Sequence, residues 1–196
     1  MRRAMTVLMT VASALVLSVG VASAASTSST ALSRELLSVH DMSTGWSVGN
    51  DAGANGVGCL QNLLERTGSK QTAAAQVFYL HNRLLPAFDE KLASYVNTKK
   101  AYASIIKTIN ACHRVSGHSP SGRLVTGTVS KMKFHRIANA SSAYAMKLTD
   151  AGITLHYDYV IARKNNVVIA VLEANATSVS MVQYTGLLNK AVKKVH

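Results

Sequence analysis

Two cysteines, Cys59 and Cys112, are the residues of this chain with the clearest chemistry. They could form a disulfide or supply thiolates to a metal site. A metal site is disfavoured because there is no CxxC motif and because His113 and His118 lack the spacing of ligands on one helix. Pairing fits the even cysteine count, because the first 24 residues have the pattern of a secretory signal peptide and disulfides persist in oxidising compartments. We therefore predict a Cys59–Cys112 disulfide and no metal or cofactor.

One serine, Ser119, stands in an incomplete hydrolase motif. Residues 117–121 read Gly-His-Ser-Pro-Ser, which departs from the GxSxG nucleophile elbow at the last position. An elbow also needs a strand before the serine and a helix after it, whereas here a helical pattern comes before and a strand pattern after. Residues 49–58 are rich in glycine but lack the GK[ST] ending of a phosphate-binding loop. The sequence predicts no catalytic residue, and a cell-envelope hydrolase is kept as an alternative.

Three polar residues of the second half are candidate ligand-binding residues: His135, His156 and Asp158. His156 and Asp158 are two apart in a strand pattern, so their side chains point to the same side. That side is the less apolar one, because Leu155 and Tyr157 belong to the other. The alternative is a solvated sheet face that binds nothing.

The first 24 residues have the pattern of a secretory signal peptide. Arg2 and Arg3 precede an apolar run over 7–21, and residues 22–24, Ala-Ser-Ala, have the small side chains of a cleavage site. A membrane anchor is the alternative, but the run has about 15 residues where a spanning helix needs roughly 20. No cysteine at the predicted cut offers a site for a lipid. We predict cleavage after Ala24, a flexible lead-in over 25–31, and a secreted protein, extracellular or in the cell wall, with no transmembrane segment after cleavage.

The chain is strongly basic, with 21 Lys and Arg against 9 Asp and Glu. Losing Arg2 and Arg3 with the signal peptide leaves 19 minus 9, or +10 with histidine neutral. Charge of this size promotes contact with anionic surfaces, which outside a cell favours acidic cell-wall polymers or lipid head groups. A basic surface-interaction protein without a pocket is a second alternative. The basic residues are scattered and form no nucleic-acid-binding module, so no nucleic-acid partner is predicted.

Helical patterns prevail in the first half of the mature chain. We expect a helix beginning at Leu32, a short helix over 60–66, a strand over 71–80, and two long helices over 85–96 and from about Lys99 to Cys112. The first long helix has Pro86 near its start and apolar residues at steps of three and four: Leu85, Phe88, Leu92, Tyr95 and Val96. Trp46, the only tryptophan, follows a turn and is predicted to be a core anchor.

Strand patterns follow from Arg123 onward. After a linker over 116–122, alternating runs are separated by short turns: 124–129, 132–135, 143–148, 154–163 and 167–173. A final amphipathic helix begins near Ser178 or Ser180, with lysines in its last turns, where the helix dipole favours positive charge. The predicted fold is α+β: an antiparallel meander with helices packed on it and one disulfide, forming one domain over 32–196.

The order of these parts resembles the PknH-like extracellular sensor domain family of actinobacteria, mycobacteria especially. The matching parts are a leucine-rich first helix, the Gly45-Trp46 pair, Cys59, a strand, two helices ending at Cys112, a meander and a terminal amphipathic helix. The resemblance covers about residues 31–196. Members of this family occur on receptor serine/threonine kinases and as stand-alone secreted proteins or lipoproteins, and this chain has no kinase motifs.

The resemblance implies an antiparallel sheet with helices packed on it and a cleft proposed to bind an unidentified ligand. It also implies that Trp46 is a core anchor and that Cys59 pairs with Cys112. The kinase sensor domain has a second disulfide, for which this chain has no cysteines. We predict a secreted, non-enzymatic, ligand-binding or sensor-like domain of the cell envelope. Its ligand is expected to be a small molecule, a lipid or an anionic cell-wall component.

Overall fold

The fold is an antiparallel sheet with helices on it, as predicted. The computed structural model describes residues 28–50, 56–119, 122–177 and 181–196, without the side chains of 181–183. The predicted signal peptide, residues 25–27 of the predicted lead-in, and Ser178 and Ser180 lie outside the described residues. Among the described residues, no helix is both long and apolar enough to cross a bilayer.

The described residues form eight strands and three α-helices. The strands are β1 (Trp46–Val48), β2 (Gln71–His81), β3 (Leu84–Tyr95), β4 (Arg114–His118), β5 (Leu124–Met132), β6 (Ala140–Asp150), β7 (Ile153–Lys164) and β8 (Val167–Asn175). The helices are α1 (Ser29–Glu35), α2 (Thr98–Asn110) and α3 (Met181–Lys194). The strands form one sheet in the order β1-β2-β3-β8-β7-β6-β5-β4, and every neighbouring pair is antiparallel.

Both faces of the sheet are covered. On the α3 face, α1 and α3 pack over apolar side chains of the central strands that include Phe88, Leu92, Val160, Ile169 and Val171. On the α2 face, α2 and residues 56–65 pack over a second set that includes Ala93, Tyr144, Met146, Ile161 and Val168. Because side chains alternate along a strand, each central strand contributes to both cores.

The predicted disulfide is confirmed. Cys59 and Cys112 are bonded, with their Cα atoms 5.9 Å apart. Cys112 follows the end of α2 and is 3% exposed. The bond fastens residues 56–65, here called the roof segment, to the C-terminal end of α2.

The roof segment is not the helix predicted over 60–66. It makes one 3-10 turn, Gly58–Leu60, followed by turns to residue 65. Asn62 has a φ of 53°, which is left-handed backbone that a right-handed helix cannot contain. The segment therefore runs across the sheet as an irregular strap.

The predicted long helix over 85–96 is also wrong, because these residues form β3. This strand is third in the sheet and pairs with β2 and β8. Its two faces are buried in different cores, so apolar residues occur at both odd and even positions and imitate helical spacing. Pro86 lies where the pairing with β2 changes register, between the pairs Leu80↔Ala87 and His81↔Leu84, and its missing N–H is tolerated at such an irregularity. The Leu85–Pro86 peptide is cis.

Several element boundaries differ from the predictions, and the run predicted over 132–135 is not a strand, because β5 ends at Met132. β4 pairs with β5 from Arg114 to His118, so residues 116–118 belong to a strand rather than to a linker. α1 begins at Ser29 rather than at Leu32, because the Ser28 hydroxyl caps it by accepting a hydrogen bond from the Ala31 N–H at 3.1 Å.

Several predicted elements are confirmed. α2 begins at Thr98 and is capped by the Asn97 side chain, which accepts a hydrogen bond from the Lys100 N–H at 2.9 Å. The tight turns at 151–152 and 165–166 join β6 to β7 and β7 to β8, with Asn165 at a φ of 52°. Trp46 is buried in the core of the α3 face, where its ring meets that of Phe88 edge-on with centroids 6.5 Å apart.

The basic end of α3 makes specific contacts. Lys194 Nζ donates to Asp41 Oδ2 at 2.9 Å, and Lys190 Nζ donates to the Asp41 carbonyl oxygen at 2.5 Å. Burial would raise the pKa of Asp41, but hydrogen bonds from Lys194 and Ser38 outweigh it and lower the pKa to about 2. The lysines predicted to complement the helix dipole thus also tie α3 to the segment after α1.

Candidate functional site

A cavity lies on the α2 face of the sheet. Its volume is about 690 Å³, within the range typical of sites for small molecules. The sheet forms its floor and the roof segment lies across it. The apolar part of the floor is made by Met146, Leu148, Leu155, Tyr157, Tyr159 and Leu172, and the apolar part of the roof by Val57, Leu60, Leu63 and Leu64.

The floor follows directly from the alternation in β7. Leu155, Tyr157 and Tyr159 are at successive odd positions, so all three side chains point to the same face. The sequence predicted this shared face. Register brings further apolar side chains beside them: Leu148 lies opposite Leu155, and Leu172 lies opposite Tyr159. The result is an apolar surface along residues 155–159 of β7.

The roof is held at three places. The disulfide fixes it to the end of α2, and Leu60 and Leu63 are buried against the core of that face. The Tyr95 hydroxyl donates a hydrogen bond to the Leu64 carbonyl oxygen at 2.5 Å. Because Tyr95 ends β3, this bond ties the far end of the roof to the middle of the sheet.

Glycines permit the close approach of the roof to β4. Gly58 has a φ of +56°, and a Cβ there would lie 2.5 Å from the Ser116 carbonyl oxygen. A Cβ on Gly117 would lie 2.8 Å from the Gly58 nitrogen. Both positions therefore need glycine for the roof to reach the strand.

The charged groups that line the cavity are mixed in sign. Arg123 pairs with Asp150 at 2.9 Å, and Asp89 accepts a hydrogen bond from Gln76 Nε2 at 2.9 Å and lies 3.9 Å from Lys91 Nζ. Among the described lining residues there are two bases and three acids, Glu65 being the third acid. The net positive charge of the chain is therefore not concentrated at this cavity.

The predicted ligand-binding residues do not line the cavity. His135 is exposed in the segment after β5, with its ring stacked on Phe134 at a centroid distance of 4.8 Å. His156 and Asp158 lie together on the α3 face, opposite to the cavity. That face is not solvated here, since Asp158 is buried. Ligand binding by these three residues stays a prediction.

Asp158 belongs to a group of buried carboxyls on the α3 face. It lies opposite Glu173, whose Oε2 has no hydrogen-bond partner among the described residues. Burial, reinforced by the charge of Asp158, raises the pKa of Glu173 to about 7. Glu90, 0% exposed, has a pKa raised to about 7 by burial although its Oε2 accepts a hydrogen bond from the Leu37 N–H at 2.7 Å. These three carboxyls do not line the cavity.

The residues considered in the sequence for metal binding or catalysis can also be placed in the described ranges. No group of three His, Cys, Asp or Glu residues there is arranged to hold a metal ion. Ser119 directly follows β4, and its Oγ accepts a hydrogen bond from the Arg123 N–H at 3.2 Å. Its side chain thus stabilises a turn at the rim of the cavity.

Comparison with solved structures gives a likeness of fold. No family model matches the chain, and no curated protein matches it. The chain is similar to the crystal structure of the extracellular domain of PknH from Mycobacterium tuberculosis, with a TM-score of 0.61 and 15% sequence identity. The alignment covers 82% of this chain and 92% of that one. Identity this low shows a shared fold alone, and that fold is the one the resemblance in the sequence implied.

Sequence reasoning missed the roof half of the cavity. Leu155, Tyr157 and Tyr159 were identifiable from alternation, but Leu60, Leu63 and Leu64 were assigned to a helix. The signal available was the density of glycine and asparagine up to Asn62, which favours irregular backbone.

Proposed function

We propose that this chain is an exported, sensor-like binding domain that takes an apolar or amphipathic small molecule into the cavity of the α2 face. The observation that carries the proposal is a cavity of about 690 Å³ with an apolar floor and roof and polar groups at its rim. Binding pockets for small molecules have this combination of size and lining.

Export is part of the proposal. It is supported by the signal-peptide pattern of residues 1–24, by the disulfide, and by the likeness of the fold to an extracellular domain. The positive charge of the chain then serves retention at an anionic envelope surface rather than selection of the ligand, because the charges at the cavity are mixed.

The intact mass of protein recovered from the culture medium of the producing organism, measured under native and denaturing conditions, tests both export and ligand binding. Denatured protein should have the mass of residues 25–196 less two hydrogens. Native protein should carry an additional mass that is lost on denaturation and is extractable into organic solvent. Retention of residues 1–24 on protein found in the cells alone would overturn export. A native mass without any bound species, together with failure to take up added apolar compounds, would overturn the binding role.

A further inference from the structure

The tyrosine hydroxyls divide into two groups. The chain has seven tyrosines, and five of their hydroxyls form hydrogen bonds to described protein groups. These are Tyr79 to the Leu37 carbonyl (2.8 Å), Tyr95 to the Leu64 carbonyl (2.5 Å), Tyr102 with Ser142 Oγ (3.2 Å), Tyr144 to Asn110 Oδ1 (2.9 Å) and Tyr184 to the Val171 carbonyl (2.8 Å).

The other two tyrosines, Tyr157 and Tyr159, are the ones whose rings form the floor of the cavity. Neither hydroxyl has a hydrogen-bond partner among the described residues. A tyrosine placed against apolar groups usually finds a partner for its hydroxyl, since an unsatisfied donor costs free energy. The two residues are at positions i and i+2 of β7, so their Cα atoms are about 6.6 Å apart. Neither hydroxyl is among the fully buried atoms that lack a partner, so both face the open cavity. A molecule that fills the cavity covers both donors and must supply an acceptor to satisfy them.

Both phenols are donors over the whole physiological pH range. Burial, followed by the charge of Asp150, raises the pKa of Tyr157. Burial, followed by the charges of Asp89 and Tyr95, raises the pKa of Tyr159. Asp89 and Asp150 thus add negative charge near these hydroxyls, and a ligand carboxylate placed there would meet like charge and lose its solvation.

Resting on the function proposed above, we propose that the cavity binds a neutral acyl compound, an ester of a hydrocarbon chain, whose carbonyl oxygen accepts hydrogen bonds from Tyr157 and Tyr159. The hydrocarbon chain lies along Leu155, Leu148 and Leu172, between the floor and the roof segment. A carbonyl offers two lone pairs, so it can accept from both phenols at once or from either alone.

Competition with a fluorescent apolar probe, N-phenyl-1-naphthylamine, distinguishes this proposal from the broader one that the cavity binds an apolar or amphipathic small molecule. The competitors are methyl laurate, laurate and dodecane, which share a chain and differ in the acceptor. The proteins are the wild type, Tyr157→Phe, Tyr159→Phe, the double variant, and Tyr102→Phe as a control that removes a hydroxyl outside the cavity. Thermal unfolding of each protein checks that it is folded.

We expect methyl laurate to displace the probe from the wild type more strongly than laurate or dodecane does. The double variant should lose affinity for methyl laurate by about tenfold, or about 1.4 kcal/mol, and keep its affinity for dodecane within about twofold. Tyr102→Phe should bind all three compounds like the wild type.

Equal methyl laurate affinity in the wild type and the double variant would overturn the acceptor proposal while leaving the apolar cavity in place. Tighter binding of laurate than of methyl laurate would overturn the preference for a neutral group. A wild type that binds neither the probe nor any competitor would overturn the proposed function itself.

Discussion

Asp158 of β7 and Glu173 of β8 lie directly opposite each other, and both are buried on the face that α3 covers. Two carboxyls this close cannot both ionise without repulsion in a medium of low polarity. His156 is close enough to lower the pKa of Asp158 partly, but burial raises it more. Burial and the charge of Asp158 therefore favour the protonated form of Glu173 and raise its pKa to about 7.

This arrangement predicts a fold that weakens as the pH rises. The folded-state pKa of Glu173, about 7, lies above its ordinary value of 4.5, so the stability it contributes is complete below about 4.5 and is lost as the pH rises through about 7. Glu90 acts in the same direction. Glu173→Gln, which keeps a neutral side chain of the same shape, should be roughly 1–3 kcal/mol more stable than the wild type at pH 8 and little changed at pH 5. Thermal unfolding from pH 5 to 8 measures this.

Glu65→Gln is the matched control, because Glu65 is exposed. Its unfolding temperature should follow that of the wild type at every pH. The same pH dependence in Glu173→Gln and the wild type would show that the ionisation of Glu173 does not govern stability.

Tyr95→Phe tests how the roof is held. The variant keeps the ring in the core and removes the hydrogen bond to the Leu64 carbonyl. We expect a loss of about 1 kcal/mol, with faster amide hydrogen exchange confined to the roof segment. Tyr144→Phe removes a similar bond, to Asn110 Oδ1, and should accelerate exchange at the end of α2 instead. Identical exchange profiles for the two variants would show that the Tyr95 hydroxyl does not fasten the roof.

Alanine substitutions at two glycines with positive φ distinguish the cost of steric contact from the cost of backbone strain. Gly58 and Gly68 have φ values of +56° and +63°, but only at Gly58 would a Cβ meet neighbouring backbone. Gly68→Ala should cost about 1 kcal/mol from strain alone. Gly58→Ala should cost roughly 2–4 kcal/mol, because it also collides with the Ser116 carbonyl. Denaturant unfolding of both variants gives the two free energies, and equal values would refute the close contact of the roof with β4.

The disulfide should contribute stability mainly by restricting the unfolded chain. Its cysteines are separated by 53 residues, and closing such a loop is worth about 4 kcal/mol. Replacing both cysteines by serine should therefore lower the unfolding midpoint by roughly 10 °C. A double variant that unfolds within about 2 °C of the wild type would contradict this account.

The sequence predicted those elements whose two sides differ in polarity or whose ends carry clear signals. α2 has one apolar stripe and an asparagine cap, and β7 alternates with a polar side that includes His156. The conformation of β3 could not be predicted in this way, because both of its faces are buried and its apolar residues follow no single period. Pairing partners that lie far along the chain, β8 above all, decide its conformation, and no local pattern records them.

The cavity depends on the same kind of distant information. Alternation places Tyr157 and Tyr159 on one face, but it cannot say whether a helix or an open space lies above them. That outcome depends on where the disulfide and the Tyr95 hydroxyl hold the roof segment. His156 and Asp158 drew attention as polar residues in an apolar strand, and the packing of α3 on their face, which buries Asp158, follows from contacts between distant segments.

The most direct test of the central claim is titration of the purified domain with N-phenyl-1-naphthylamine in two tryptophan variants. Leu155→Trp fills the floor of the cavity, whereas Leu124→Trp adds the same group at an exposed position outside it. We predict saturable binding of one probe molecule by the wild type and by Leu124→Trp, and a loss of at least about tenfold in affinity for Leu155→Trp at unchanged stability. Equal binding by all three proteins, or none by the wild type, would contradict the assignment of this cavity as the binding site.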